Sequence, residues 1–197
     1  MIQKQKGSSN YRNIGSLYSR IGTVYWRKHE LERALENYHK AIELFRNAND
    51  EDHPHMANFY NNIANVYYDQ KKYREALDFY KKSLAIQKQH LPSNHPDIAA
   101  SHNNIGSVYY NLNKYDVAME HYQQSLQIRL KSLPGDHPAI AASYECIALM
   151  HEKKREWKEA LELFEKVLNI YQHSFSLQHP DVLRTKARIE RVSANLK

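Results

Sequence analysis

Twelve histidines and a single cysteine are the side chains of this 197-residue sequence best equipped for chemistry. His53-Pro54-His55 suggests a metal site at first sight, because imidazoles are common zinc ligands. Zinc needs several ligands converging on one point, however. The histidines that precede proline instead recur singly, at His53, His95, His137 and His179, each 42 positions after the last. That placement assigns them to helix starts, where the following proline has a preset φ and no N–H to lose. Cys146 lies between Glu145 and Ile147, neighbours that offer no cation to a thiolate. A single cysteine also excludes an internal disulfide framework and suits a reducing compartment. No glycine-rich phosphate loop, no Gly-x-Ser-x-Gly and no paired His-Glu helix motif occurs. The expectation is a protein that is not an enzyme, with no cofactor, no metal and no small-molecule substrate.

The elements that carry these residues are, by composition, helices. Five glycines and six prolines leave little punctuation for an all-β fold. A mean hydropathy of −0.80 alongside 42% hydrophobic residues fits amphipathic elements. No stretch approaches the roughly 18 to 20 apolar residues of a membrane span. Met1 to Asn10 is polar and basic with no apolar region after it, unlike a secretory signal. These features predict a cytoplasmic protein that does not engage membranes. The net charge of +6 is spread along the whole chain rather than massed, which describes a solvated surface and argues against nucleic acid as partner.

The 42-residue offset aligns further columns. Ile21, Ile63, Ile105 and Ile147 form one; Gly22, Ala64, Gly106 and Ala148 the next; Ala34, Ala76, Ala118 and Ala160 a third; Tyr38, Tyr80, Tyr122 and Phe164 a fourth. Each unit reads as two helices. Helix A runs from Pro54 to about Asp69, a polar turn follows at Gln70-Lys71-Lys72, and helix B runs from about Tyr73 to His90, before Leu91-Pro92. The small residues of the second and third columns let two helix backbones approach at their crossing. The aromatics of the Tyr38 column are expected to fill the space between successive units.

This order of small residue, alanine and aromatic resembles the tetratricopeptide repeat, and the 42-residue unit with LPSNHPDIA and LPGDHPAIA between helices resembles the kinesin light chain type. The resemblance implies an all-α fold, a right-handed α-solenoid of antiparallel helix pairs. Its parts would be a polar N-terminal segment (1–10), four tandem units (11–52, 53–94, 95–136, 137–178) and a C-terminal capping helix (179–197). Tyr11-Arg12 replaces the expected His-Pro, so the array either starts there or continues a longer one.

The family also implies that the A helices line a concave surface. At 100° per residue, Tyr60, Ile63, Ala64 and Tyr67 form the core stripe, while Asn58, Asn61, Asn65 and Tyr68 form a second stripe facing a ligand. The corresponding stripe elsewhere includes Trp26, Arg27, Asn62, Asn103, Asn104, Ser107, Tyr110, Asn111 and Lys153. Asparagine offers both donor and acceptor to an extended peptide backbone, and the aromatic row could receive an anchor side chain. The alternative is that these asparagines tie adjacent A helices together. The chaperone-type carboxylate clamp is excluded: Asn65 and Asn104 match its asparagines, but its three basic positions hold Asn61, Ala142 and Cys146. Kinesin light chain grooves favour acidic, tryptophan-containing peptides. Here Arg27 and Lys153 are opposed on the stripe by Asp69, Glu145 and Glu152. The expected function is a kinesin light chain-like adaptor for a protein or peptide ligand, associated with the cytoskeleton if that likeness extends to the partner. A targeting module of a larger enzyme such as an ADP-ribosyltransferase is the alternative, and an RNA-reading helical repeat a remote one.

Overall fold

A computed structural model describes the backbone of residues 2–196 and the side chains of 10–196. Met1 and the side chains of 2–9 in the N-terminal segment lie outside the described residues, as does Lys197 of the closing helix. The described residues form nine helices and no strand: α1 (Ile2–Arg27), α2 (Leu31–Asn47), α3 (Pro54–Asp69), α4 (Tyr73–His90), α5 (Pro96–Asn111), α6 (Tyr115–Ser132), α7 (Pro138–Lys153), α8 (Trp157–Ser174) and α9 (Pro180–Ala194). Consecutive helices pair as antiparallel hairpins, α1 with α2 through α7 with α8, and α9 closes on α8. The chain divides into two compact units at Pro92 and Ser93, one holding α1–α4 and the other α5–α9. The all-helical, paired architecture is that of the tetratricopeptide solenoid class.

The His-Pro signature has a local cause beyond the proline. In α3, α5, α7 and α9 the preceding histidine is the N-cap, and its Nδ1 accepts a hydrogen bond from the backbone N–H two residues on, at 3.1, 3.2, 3.1 and 3.3 Å. Each imidazole thus satisfies one of the helix's orphan donors. At the other end of the A helices, His29, Lys71, Asn113 and Arg155 take positive φ of 59°, 59°, 58° and 61°. The next residue's N–H then reaches back to a carbonyl in the last helical turn, as Lys72 does to Tyr67 at 2.8 Å and Lys114 to Tyr109 at 2.9 Å. This left-handed closure makes the turn between helices A and B. Asn113 and, to a lesser degree, His29 are of types that adopt it more readily than Lys71 or Arg155.

Hairpins close where a ring of helix B lies on a small residue of helix A. A Cβ on Gly22 would stand 2.7 Å from Cε1 of Tyr38, and one on Gly106 equally 2.7 Å from Cε1 of Tyr122. Both rings are buried, as are Ala34 and Ala118 of the same two hairpins. The Tyr38 column, expected between units, therefore also closes its own hairpin.

Two outcomes follow. Gly106→Leu should destabilise the fold by about 1–3 kcal/mol through overpacking against Tyr122. Gly135→Ala, which has nothing within 4 Å of its added methyl, should leave the melting temperature unchanged. An unaltered melting temperature for Gly106→Leu would misplace the crossing. The second outcome concerns pH. Burial, chiefly, holds the imidazole pKa of His53 below its ordinary value. The capping form is the neutral one, so the stability it supplies is complete above the unfolded pKa of about 6.5 and is lost as pH falls through the lower folded value. Urea midpoints measured from pH 8 to 5 should fall less steeply for His53→Asn, whose amide caps without titrating; identical slopes would refute the assignment.

Candidate functional site

The polar stripe of the A helices is built from two kinds of bond that repeat with the sequence register. The first lies inside three of the four hairpins. Thr23 Oγ1 and the Tyr38 hydroxyl are 3.1 Å apart, the Tyr80 hydroxyl donates to Asn65 Oδ1 at 2.5 Å, and the Tyr122 hydroxyl donates to Ser107 Oγ at 3.3 Å. The fourth hairpin carries Leu149 and Phe164 in these columns, packed in one apolar cluster. Loss of the hydroxyl on helix B thus goes with loss of its polar partner on helix A. Burial pushes the Tyr80 phenol pKa upward, so the ring stays a neutral donor.

The second kind joins successive A helices across 43 residues. Asn62 Nδ2 donates to Ser19 Oγ at 3.3 Å in the first unit. In the second, Cys146 Sγ is 3.8 Å from Asn103 Oδ1, and Arg188 donates to Glu145 Oε1. Arg184 Nε reaches the same oxygen at 3.3 Å, while the Tyr171 hydroxyl donates to Oε2. Trp26 continues the seam in the first unit, its indole N–H donating to Asp69 at 2.5 Å. Arg191 similarly holds Glu152 at 2.7 Å. The doubling of asparagine at 61–62 and 103–104 thus has a structural side, because the two columns face each other along this seam. The three carboxylates expected to oppose the cations of the stripe are already engaged: Asp69 by an indole, Glu145 and Glu152 by arginines of α9.

Other stripe residues sit nearer the surface. In the first unit Arg27 and Asn58 are exposed and Asn61 is half-buried. Tyr68 is half-buried, its ring edge-on to Tyr73 at 5.6 Å. In the second unit Asn104 is half-buried, Asn111 donates to the Ser107 carbonyl at 2.8 Å, and Ser107 donates to the Asn103 carbonyl at 3.1 Å. Tyr110 repeats the geometry of Tyr68, with Tyr115 at 5.7 Å, and the exposed Lys153 places its ammonium 5.9 Å from the Tyr110 ring. Burial pushes the Cys146 thiol up to about 11, so the thiolate that nucleophilic chemistry needs is scarce at neutral pH. A feature the sequence did not disclose is His102, buried in α5, with Nδ1 3.0 Å from Nδ1 of His121 on α6. Other repeats carry Tyr60 with Phe79 and Tyr144 with Leu163 in these columns. Among the described residues, no three His, Cys, Asp or Glu side chains gather as a metal site would require.

Family models described as tetratricopeptide repeat match residues 13–89 and, as two further repeats, 98–139 and 140–181. The chain belongs to the tetratricopeptide repeat family. Similar solved structures are of the kinesin light chain-like kind. Nearly identical TPR-like repeats ascribed to a kinesin light chain of Podosopora anserina superpose with a TM-score of 0.76 at 23% identity, over 92% of this chain and 86% of that one. BtubC (BKLC) from P. vanneervenii gives 0.82 at 17% identity, over 99% and 82%. The apo form of RapI gives 0.79 at 21% identity, over 92% of this chain and 64% of that one. At these identities the likeness is one of fold. No curated protein matches the chain in sequence. Tetratricopeptide repeats bind proteins or peptides and are generally not enzymes, and the fold here is consistent with an interaction scaffold. No helix among the described residues is long and apolar enough to cross a membrane.

The pairing inside hairpins predicts a coupled cost. Tyr80→Phe should destabilise by about 1 kcal/mol, because Asn65 Oδ1 loses its donor. Asn65→Leu combined with Tyr80→Phe, the combination found as Leu149 and Phe164, should recover most of that loss in a thermal double-mutant cycle. Strictly additive effects would contradict the pairing.

Proposed function

We propose that the chain is a protein–protein interaction adaptor that holds an extended peptide segment of a partner on the polar face of its A helices, in the manner of kinesin light chain-like repeats. The observation that carries this reading is the repetition of one surface arrangement in both units. Tyr68 and Tyr110 each stand half-exposed with a second tyrosine ring behind them, Tyr73 edge-on at 5.6 Å and Tyr115 tilted at 5.7 Å. A ring already held in place loses little freedom on binding, which suits it to anchoring an apolar or aromatic side chain. Asn58 and Asn61 in the first unit, and Asn104 in the second, lie on the polar stripe of their own helices and offer amide groups to a peptide backbone.

Charge refines the ligand class. Glu145 and Glu152 are paired with Arg184, Arg188 and Arg191, and Asp69 keeps its charge while accepting from the neutral Trp26 indole; Arg27 and Lys153 are exposed. Beside Tyr110, where the carboxylates of α7 are paired and Lys153 is exposed, this favours a peptide carrying a carboxylate next to its anchor, a property shared with kinesin light chain ligands. The reading is of a cytoplasmic scaffold without catalysis, cofactor or small-molecule substrate.

A random-peptide array probed with the wild-type chain should yield binders that Tyr68→Ala or Tyr110→Ala weakens by about tenfold or more, the loss expected for an aromatic hot spot. Because both rings are half-buried, each variant is compared at a temperature where circular dichroism shows it fully folded. Undiminished capture by both variants would sink the assignment of this face.

A further inference from the structure

The third hairpin departs from its neighbours in the aromatic contact between its helices. In the second hairpin Tyr60 and Phe79 carry the ammonium of Lys82, 5.9 and 4.8 Å from their ring centres, and in the fourth Tyr144 carries that of Lys166 at 5.8 Å. The third has His102 and His121 in the ring columns and Gln124 in the lysine column. A fixed cation is withdrawn where two groups able to carry one are supplied.

The geometry limits how many protons the two can hold. His102 is 5% exposed and His121 half-buried. Their ring centres are 5.3 Å apart and their Nδ1 atoms 3.0 Å, so the two nitrogens meet between the rings. That contact holds one hydrogen, donated by one ring and accepted by the other. A first added proton settles on Nε2 of the donor ring, and the N–H···N bond stays and gains charge assistance. Tyr109, stacked on His121 at 5.5 Å, offers an imidazolium its π face. A second added proton has only the accepting Nδ1 left. It turns that acceptor into a donor, sets two N–H groups head to head and places two like charges side by side.

Neighbouring charges do not relieve this. Glu120, beside His121, is exposed, as are Lys131 of α6 and Lys153 of α7. The other charged groups of the hairpin and of α7, which packs on α6, have partners of their own. Asp97 lies by His95, Asp116 holds Lys154, Arg129 holds Ser143, His151 holds Glu156, and Glu145 and Glu152 hold arginines of α9. The Cys146 thiol faces Asn103.

We propose that His102 and His121 form an acid-operated clasp of the α5–α6 hairpin, closed while the pair carries at most one imidazolium and released when both rings charge, loosening the helix that presents Tyr110. The stability it supplies is complete above about pH 6.5, the ordinary imidazole value, and is lost as pH falls and both rings charge. Its bearing on ligand release rests on the peptide-binding reading, whereas the clasp itself does not.

The test is hydrogen exchange on the full chain from about pH 7.5 to about 5.5, corrected for intrinsic rates. Two variants serve as comparison. One, His102→Tyr with His121→Phe and Gln124→Lys, installs the residues of the second hairpin. The other, His121→Asn, takes the residue at Asn37 of the first and bonds without titrating. All four capping histidines remain in both, so their acid sensitivity cancels. Amides of α5 and α6 should gain about tenfold more exchange on acidification in the wild type than in either variant. An equal gain in the wild type and His121→Asn overturns the clasp, whether or not the triple variant folds, as does no gain in the wild type. A peptide selected from a random array should lose about the same factor in affinity for the wild type alone; equal loss in His121→Asn overturns the link to ligand release. A library without binders counts against the peptide-binding face, and the exchange result then decides the clasp.

Discussion

A buried ring laid across a small residue governs each of the hairpins that can be compared. Where helix A carries glycine, at Gly22 and Gly106, the ring of Tyr38 or Tyr122 comes so near that an added methyl would overlap it. Where it carries alanine, the partner ring is Tyr80 or Phe164, both again buried. The ring's outer end then decides what helix A must offer one position further on: a hydroxyl or amide for tyrosine, and leucine for phenylalanine. Core and polar stripe are thereby tied together, because one side chain serves both.

The same economy constrains function. Half of each A helix is spent on its own hairpin, and part of the polar half is spent on the seam to the next A helix within a unit. Asn62, Asn103 and Trp26 belong to that seam, although their chemistry is also that of ligand contacts. What the scaffold presents outward is correspondingly a small set of amides, cations and supported tyrosines. In the second unit, α9 satisfies Glu145 and Glu152 with three arginines while its own apolar columns are buried. The α7–α9 packing thus combines matched charge with apolar burial.

Much of the fold was legible because a repeat prints its contacts several times. The boundaries Pro54 to Asp69 and Tyr73 to His90 follow from proline, the polar turn and the helical period, and the helices have those ends. Other details were hidden for physical reasons. The histidine before each proline marked a helix start, but only geometry shows its imidazole as the capping acceptor. The left-handed residues that close the A helices include Lys71 and Arg155, side chains with no preference for that conformation, so nothing in their type announces it. Asparagine is ambiguous for a deeper reason. Its amide can bind a ligand backbone or a neighbouring helix with the same atoms, and only the 43-residue partnering of Asn62 and Asn103 separates the two uses. The pairing of His102 with His121 was likewise invisible, since the two lie on different helices in columns that hold Tyr18 with Asn37, Tyr60 with Phe79 and Tyr144 with Leu163 elsewhere.

The central claim is that the outward half of the A helices, and not the B helices, receives the partner. Side-chain NMR on the full chain, titrated with a peptide selected from a random array, tests it most directly. The account predicts that the Asn58 amide and the Tyr68 and Tyr110 ring resonances shift with a common saturation curve, while the buried Tyr38 and Tyr80 rings stay in place. Shifts confined to the exposed faces of α2, α4, α6 and α8, with Asn58, Tyr68 and Tyr110 unmoved, would contradict it.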